Sequence, residues 1–237
     1  MLKGKIWLIA LVLLIPNLAR ATYCPPQGKP GVWSKEATYL CSRATKEGLA
    51  RDIRVYSPDR GKAVHVVNDH WFVEVGKNRL RLNTEESYIS YYPAELSWAP
   101  DSAAFYITQS DATSEINGFH TELYKVDEKA LRRMQDIWQV VYDRFAKRHK
   151  MADEDPNVAG LKWERGSSQI IVIAEVPADS VGARREYFGG YVMSTADSKV
   201  IHEYTPQELF RRWGGVFGLR LKGDYHDLHS AERKEEP

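Results

Sequence analysis

The sequence predicts a mainly β, antiparallel protein that carries one inserted amphipathic helix. Three observations lead there. Short strand-like runs recur along the chain: Leu96 and Trp98 alternate with polar neighbours, Trp71 to Val75 is apolar and β-prone, and Gln169 to Val176 is the most hydrophobic strand of the mature chain. Turn-forming residues separate these runs, as in Pro100-Asp101-Ser102 and Gly76-Lys77-Asn78. One segment, Asp127 to Lys150, instead has apolar residues stepping by three or four.

The stretch Glu95 to Asp127 sets the pattern. Leu96 and Trp98 alternate with polar neighbours, Pro100-Asp101-Ser102 turns the chain, and Ala104 to Thr108 returns as a β-branched and aromatic strand. Gln109 to Gly118 has no apolar period and reads as an exposed loop. Thr121 to Val126 then alternates again. The same lead-in occurs upstream, at Ile53 to Gly61, and downstream, at Gly160 to Ser167. The anchoring aromatics Tyr56, Trp98 and Trp163 are spaced by 42 and then 65 residues. Without a helix-like insert of about 25 residues the second interval falls to roughly 40, the period of a propeller blade.

An aromatic, a small residue, Pro-Asp, then Ser or Gly and an apolar strand resembles the repeats of TolB-like and WD40-like β-propellers. Tyr56-Ser57-Pro58-Asp59 and Trp98-Ala99-Pro100-Asp101 match that pattern. The third copy departs from it, with Glu164-Arg165-Gly166 in place of Pro-Asp. Three units are fewer than the four or more of a closed propeller. The fold expected is therefore propeller-like or an open β-meander that reuses one turn chemistry. The resemblance implies an interaction scaffold whose loops face protein partners.

Residues 1–21 read as a signal peptide. Lys3 and Lys5 precede an apolar run from Ile6 to Ile15, and Ala19-Arg20-Ala21 is a small-x-small cleavage site. The run is shorter than the ~20 residues that span a bilayer, so no membrane span is expected after cleavage. An exported chain meets an oxidising compartment, and Cys24 and Cys41 are expected to pair there. Such a bridge would tie down an N-terminal segment, 22–52, and contribute about 3 kcal/mol. A β-rich domain over 53–221, with its helical insert at 127–151, and a polar tail at 222–237 complete the organisation. The expected location is periplasmic or secreted.

Ala63 to Val67, Trp71 to Val75 and Arg79 to Leu82 read as successive strands. In the insert, Asp127 is placed as N-cap, with Leu131, Met134, Trp138, Val141 and Phe145 as one stripe. Lys147 to Lys150 form its basic last turn. Tyr187 to Met193 and Lys199 to Tyr204 are further strands. Thr205 and Pro206 begin a second helix that stops at Gly214-Gly215.

Formal net charge is +1, and loss of Lys3, Lys5 and Arg20 with the leader makes it −2. A chain so near neutrality has no global field for nucleic acid. No phosphate loop, dinucleotide fingerprint, nucleophile elbow or zincin motif occurs, so no catalytic residue, metal or cofactor is assigned. Asp224 to His229 groups histidine with carboxylates in the expected tail, and Asp69-His70 pairs them beside Trp71, but neither pattern preorganises a site. The binding residues predicted are Trp71, Tyr91, Tyr92 and Tyr106, with Arg144 and Arg148 at the basic end of the helix. Trp98 is expected to pack as the repeat's anchor. The function expected is non-catalytic binding of a protein partner in the cell envelope, with oligomeric state undefined. An exported hydrolase of cell-wall or carbohydrate substrates, with an unidentified carboxylate pair, is the alternative. A small-molecule or metal-binding protein is the third.

Overall fold

The computed structural model describes residues 31–40, 43–45, 48–50, 52–67, 70–82, 94–110, 118–134, 137–149, 155–176 and 187–221. The leader, the tail, Cys24, Cys41, Asp69, Tyr91 and Tyr92 lie outside the described residues.

The chain is mostly antiparallel β. Strand β1 (Thr38–Leu40) is followed by a two-stranded ribbon of β2 (Arg43–Thr45) and β3 (Gly48–Ala50). Three sheets then follow in sequence. The first is the meander β4 (Asp52–Tyr56), β5 (Lys62–Val67), β6 (His70–Val75) and β7 (Asn78–Arg81). The second is β8 (Ala94–Trp98), β9 (Ala104–Ser110), β10 (Phe119–Val126) and β11 (Leu131–Arg133), with β1 added beside β8. Helix α1 (Ile137–His149) comes next. The third sheet is β12 (Asn157–Glu164), β13 (Gln169–Val176), β14 (Tyr187–Ser194) and β15 (Val200–Tyr204), and α2 (Pro206–Trp213) follows it.

Alternation explains how the sheets stack. Leu96, Trp98, Phe105, Ile107 and Tyr124 point from the second sheet toward Val64, Val66, Trp71 and Val73 of the first. The opposite face of the second sheet presents Ala104, Tyr106 and Leu123 to Val158, Trp163, Ile170 and Val172 of the third. The far face of the third sheet, with Ala159, Leu161, Ile171 and Ile173, is covered by Trp33, Leu209 of α2 and Phe217. The far face of the first sheet is solvated and charged. There His65 lies between Glu74 and Asp52, with ring nitrogen to carboxylate oxygen distances of 2.9 Å on each side. Arg54 also binds Glu74 at 3.2 Å, and the Arg79 guanidinium sits 3.6 Å from the centre of the Phe72 ring. One end of the stack is thus finished by charge and the other by a helix and a terminal strap.

The turn chemistry repeats as the sequence predicts. In the first turn Arg60 N–H donates to Ser57 O at 2.8 Å, and in the second Ser102 N–H donates to Ala99 O at 2.9 Å. Asp59 and Asp101 each accept the amide two residues on, at 2.9 Å in both. The third turn lacks Pro-Asp and takes another path, through Arg165, Gly166 and Ser167 at φ 48°, 61° and 84°. It still places a left-handed residue at the position held by Arg60 (φ 60°) and Ser102 (φ 61°). Each turn also bonds its neighbour. Asp59 N–H donates to the Ser102 hydroxyl at 3.1 Å, and Asp101 N–H to the Ser167 hydroxyl at 3.2 Å.

The helical insert is shorter than the sequence predicts. Asp127 caps a turn instead of a helix, its carboxylate accepting from Lys129 N at 2.8 Å and Ala130 N at 2.6 Å. Leu131–Arg133 then pairs with β10 as β11. The unpaired edge of β10 supplies ladder partners that a first helical turn lacks, and this outweighs a helical period carried by Leu131 and Met134. The helix proper buries Ile137, Val141 and Phe145, four residues apart, between the second and third sheets. The second helix begins as the sequence predicts. Glu208 N–H donates to the Thr205 hydroxyl at 3.3 Å, and Thr205 N–H to the Glu208 carboxylate at 3.0 Å. Beyond α2, Phe217 bridges to Ser34, Gly218 N–H donates to Trp33 O at 2.8 Å and Arg220 N–H to Val32 O at 3.1 Å, and residues 219–221 are helical.

Candidate functional site

Polar side chains gather in two places between the second and third sheets. The first is sealed. Residues 31–40 run as a strap across β8 and β12, with Trp33 fully buried and the Ser34 hydroxyl donating to Leu161 O at 2.6 Å. Beneath it the Glu95 carboxylate accepts Trp33 N–H at 2.7 Å and Ser34 N–H at 3.2 Å. Burial pushes the Glu95 carboxyl up to about 8, against the pull of those amides and that of Val32. Beside it Thr108 and Thr121 share a hydrogen bond of 2.9 Å, Thr121 reaches Val158 O, and Gly160 N–H donates to Thr108 at 3.0 Å. Every one of these bonds joins chain segments of the fold.

The second place is open. The last turns of α1 lie over β14 and β15, where Tyr191 and Glu203 are register partners. Arg144 and Arg148, four residues apart, both reach Glu203: Arg144 Nη1 lies 3.5 Å from Oε1 and Arg148 Nη1 3.4 Å from Oε2. Their side chains are 56% and 44% exposed. Tyr191 is buried on the neighbouring strand beside Glu203, and among the described residues its hydroxyl has no hydrogen-bond partner. Burial and the Glu203 carboxylate hold that phenol above its ordinary range, while Arg148 and Arg144 pull it down. Burial and Arg148 depress the His149 imidazole, whose ring lies 4.5 Å from that of Phe145. Gly189 leaves room for the phenol, since a Cβ there would stand 3.3 Å from the Tyr191 oxygen.

The predicted binding residues divide accordingly. Arg144 and Arg148 converge on one carboxylate at the surface. Trp71 and Tyr106 do not reach the surface. They are 2% and 0% exposed and belong to the cores on either side of the second sheet. The reason is strand parity: each sits on the face that meets a neighbouring sheet. Trp98 packs as expected, 4.9 Å from the Phe105 ring. Sequence reasoning missed Tyr191 and Glu203. Alternation along β14 was the available signal, but it did not reveal which face of that strand receives α1.

Among the described residues no group of three or more His, Cys, Asp or Glu side chains is placed to hold a metal ion. No helix there is long and apolar enough to cross a membrane. No family model matches the chain, and no curated protein matches it.

Proposed function

We propose that this chain is an exported, non-catalytic interaction protein: a short propeller-like stack that presents the basic end of α1 and adjoining loops to a protein partner in the periplasm or extracellular space. The observation that supports this most is the contrast between the two polar places. The buried carboxylates are committed within the fold, Glu95 to backbone amides, Glu122 to Arg133 at 2.8 Å and Glu175 to Arg220 at 3.5 Å. The accessible cluster at the end of α1 is cationic around one carboxylate, Glu203, whereas the accessible Asp52 and Glu74 are held by His65 on the far face of the first sheet. Clusters of arginine on a rigid element suit recognition of acidic groups. The repeated turns support a propeller-type relationship, because each aromatic and each serine occupies the same place in successive sheets.

The test is crosslinking of the full-length tagged chain in its own cells, with crosslinked peptides mapped by mass spectrometry. The reading expects one reproducible protein partner, crosslinked at α1 or the loops beside it. A chain that crosslinks to no protein, or that turns over a glycan substrate, overturns it.

A further inference from the structure

We propose that the surface where the last two turns of α1 meet strands β14 and β15 takes a carboxylate of an acidic peptide segment, and that Glu203 occupies that carboxylate's place in the unbound chain. This rests on the interaction-protein reading above and names the chemistry of the partner.

Two guanidinium groups one helical turn apart straddle the two oxygens of a single carboxylate, an arrangement matched to carboxylate geometry. The contacts are loose. At 3.5 and 3.4 Å they exceed the roughly 2.7–2.9 Å of a strong charge-assisted bond, and both arginines are about half exposed. Solvent-exposed pairs of this kind contribute little to stability. Glu203 is thus a weak occupant that an incoming carboxylate can displace at small cost. Lys147 stands in the same helical turn as Arg148.

The Tyr191 hydroxyl is the second, independent observation. A buried phenol without a partner among the described residues is disfavoured, and it lies beside Glu203 across the β14–β15 register, within reach of the charges of Glu203, Arg144 and Arg148. It is a donor held in reserve beside Glu203. A polyanion such as nucleic acid is a poorer occupant, since the chain's near-zero net charge provides no long-range attraction.

The experiment is a low-salt anisotropy titration of the full chain with fluorescein-labelled hexaglutamate. Glu203→Gln should bind about threefold to tenfold tighter, because it removes the internal competitor. The double variant Arg144→Gln, Arg148→Gln should bind at least about tenfold more weakly. Tyr191→Phe should weaken binding while leaving thermal unfolding near that of the parent. A Glu203→Gln chain that binds no tighter overturns the inference, as does a double variant that binds like the parent. Equal affinity for hexaglutamate and inorganic phosphate would mark a general anion site and overturn the peptide assignment. Crosslinking to a partner that persists in the double variant removes this site but leaves the interaction-protein reading. Peptide binding that tightens in Glu203→Gln, with no protein partner crosslinked, does the reverse.

Discussion

Trp98 and Trp163 make the same bond one sheet apart. The Trp98 indole N–H donates to Val55 O at 2.9 Å, and the Trp163 indole N–H donates to Ser97 O at 3.3 Å. In each case the acceptor precedes the aromatic that anchors the previous sheet, Tyr56 and then Trp98. The repeated aromatic is therefore an inter-sheet staple: its ring fills the core between two sheets and its polar edge fixes their register.

Removing the staple should cost the same at both positions. Trp98→Phe and Trp163→Phe each delete one indole hydrogen bond to a strand carbonyl, a loss of about 0.5–1.5 kcal/mol. Alanine at either position adds a cavity, for a total of about 3–5 kcal/mol. Denaturant midpoints of the two Phe variants and their double mutant check this. The double should be additive, because the bonds belong to different interfaces.

Stability should fall as pH rises through the neutral range. The Glu95 carboxyl is raised to about 8 in the fold from 4.5. Its protonated form is therefore the one the fold favours. That contribution is complete below about pH 4.5, declines as the unfolded chain ionises, and is gone by about pH 8. It is worth on the order of 5 kcal/mol. Glu95→Gln should flatten this dependence in thermal melts taken between pH 5 and pH 9. It should also be less stable than the parent at pH 5, because its amide would face the Ser34 N–H, donor against donor.

Gly160 should tolerate no side chain. A Cβ there would lie 2.6 Å from Cε2 of Tyr106, whose ring is fully buried and packs 5.7 Å from that of Trp163. Overpacking of this kind costs about 1–3 kcal/mol. Gly160→Ala should lower the melting temperature by several degrees. Adding Tyr106→Leu should recover part of the loss, a non-additivity visible in a double-mutant cycle.

Thr205→Ala should destabilise by about 1 kcal/mol by removing the cap of α2. Leu209 of that helix covers the third sheet, so the loss should appear in global unfolding as well as in helix content.

Strands, turns and the second helix were legible because their signals are local. Pro and Asp bias their own turn, alternation marks a strand, and Thr205 with Pro206 and Glu208 starts a helix within four residues. The third turn was harder to read because its left-handed backbone is carried by Arg165, Gly166 and Ser167 without Pro-Asp. The start of α1 was misread because β10 offers an edge, and Leu131–Arg133 gains more by pairing there than by adding a helical turn. Of the residues expected to bind a partner, Arg144 and Arg148 were legible as the cationic end of a helix. Trp71 and Tyr106 were not, because period two says that a face is buried without saying which.

By itself, the sequence determined an antiparallel β chain with a three-fold repeat of turn and aromatic anchor, since each depends on residues a few positions apart. Only the tertiary structure decided that the repeats stack with their tryptophans bonded sheet to sheet. It alone sealed Glu95 under a strap from residues 31–34, and it alone brought Arg144 and Arg148 onto Glu203 beside Tyr191. Those contacts span from about 40 to more than 60 residues of chain. No local preference encodes them, and they form because burying the faces of three sheets leaves few other ways to satisfy the polar groups caught between them.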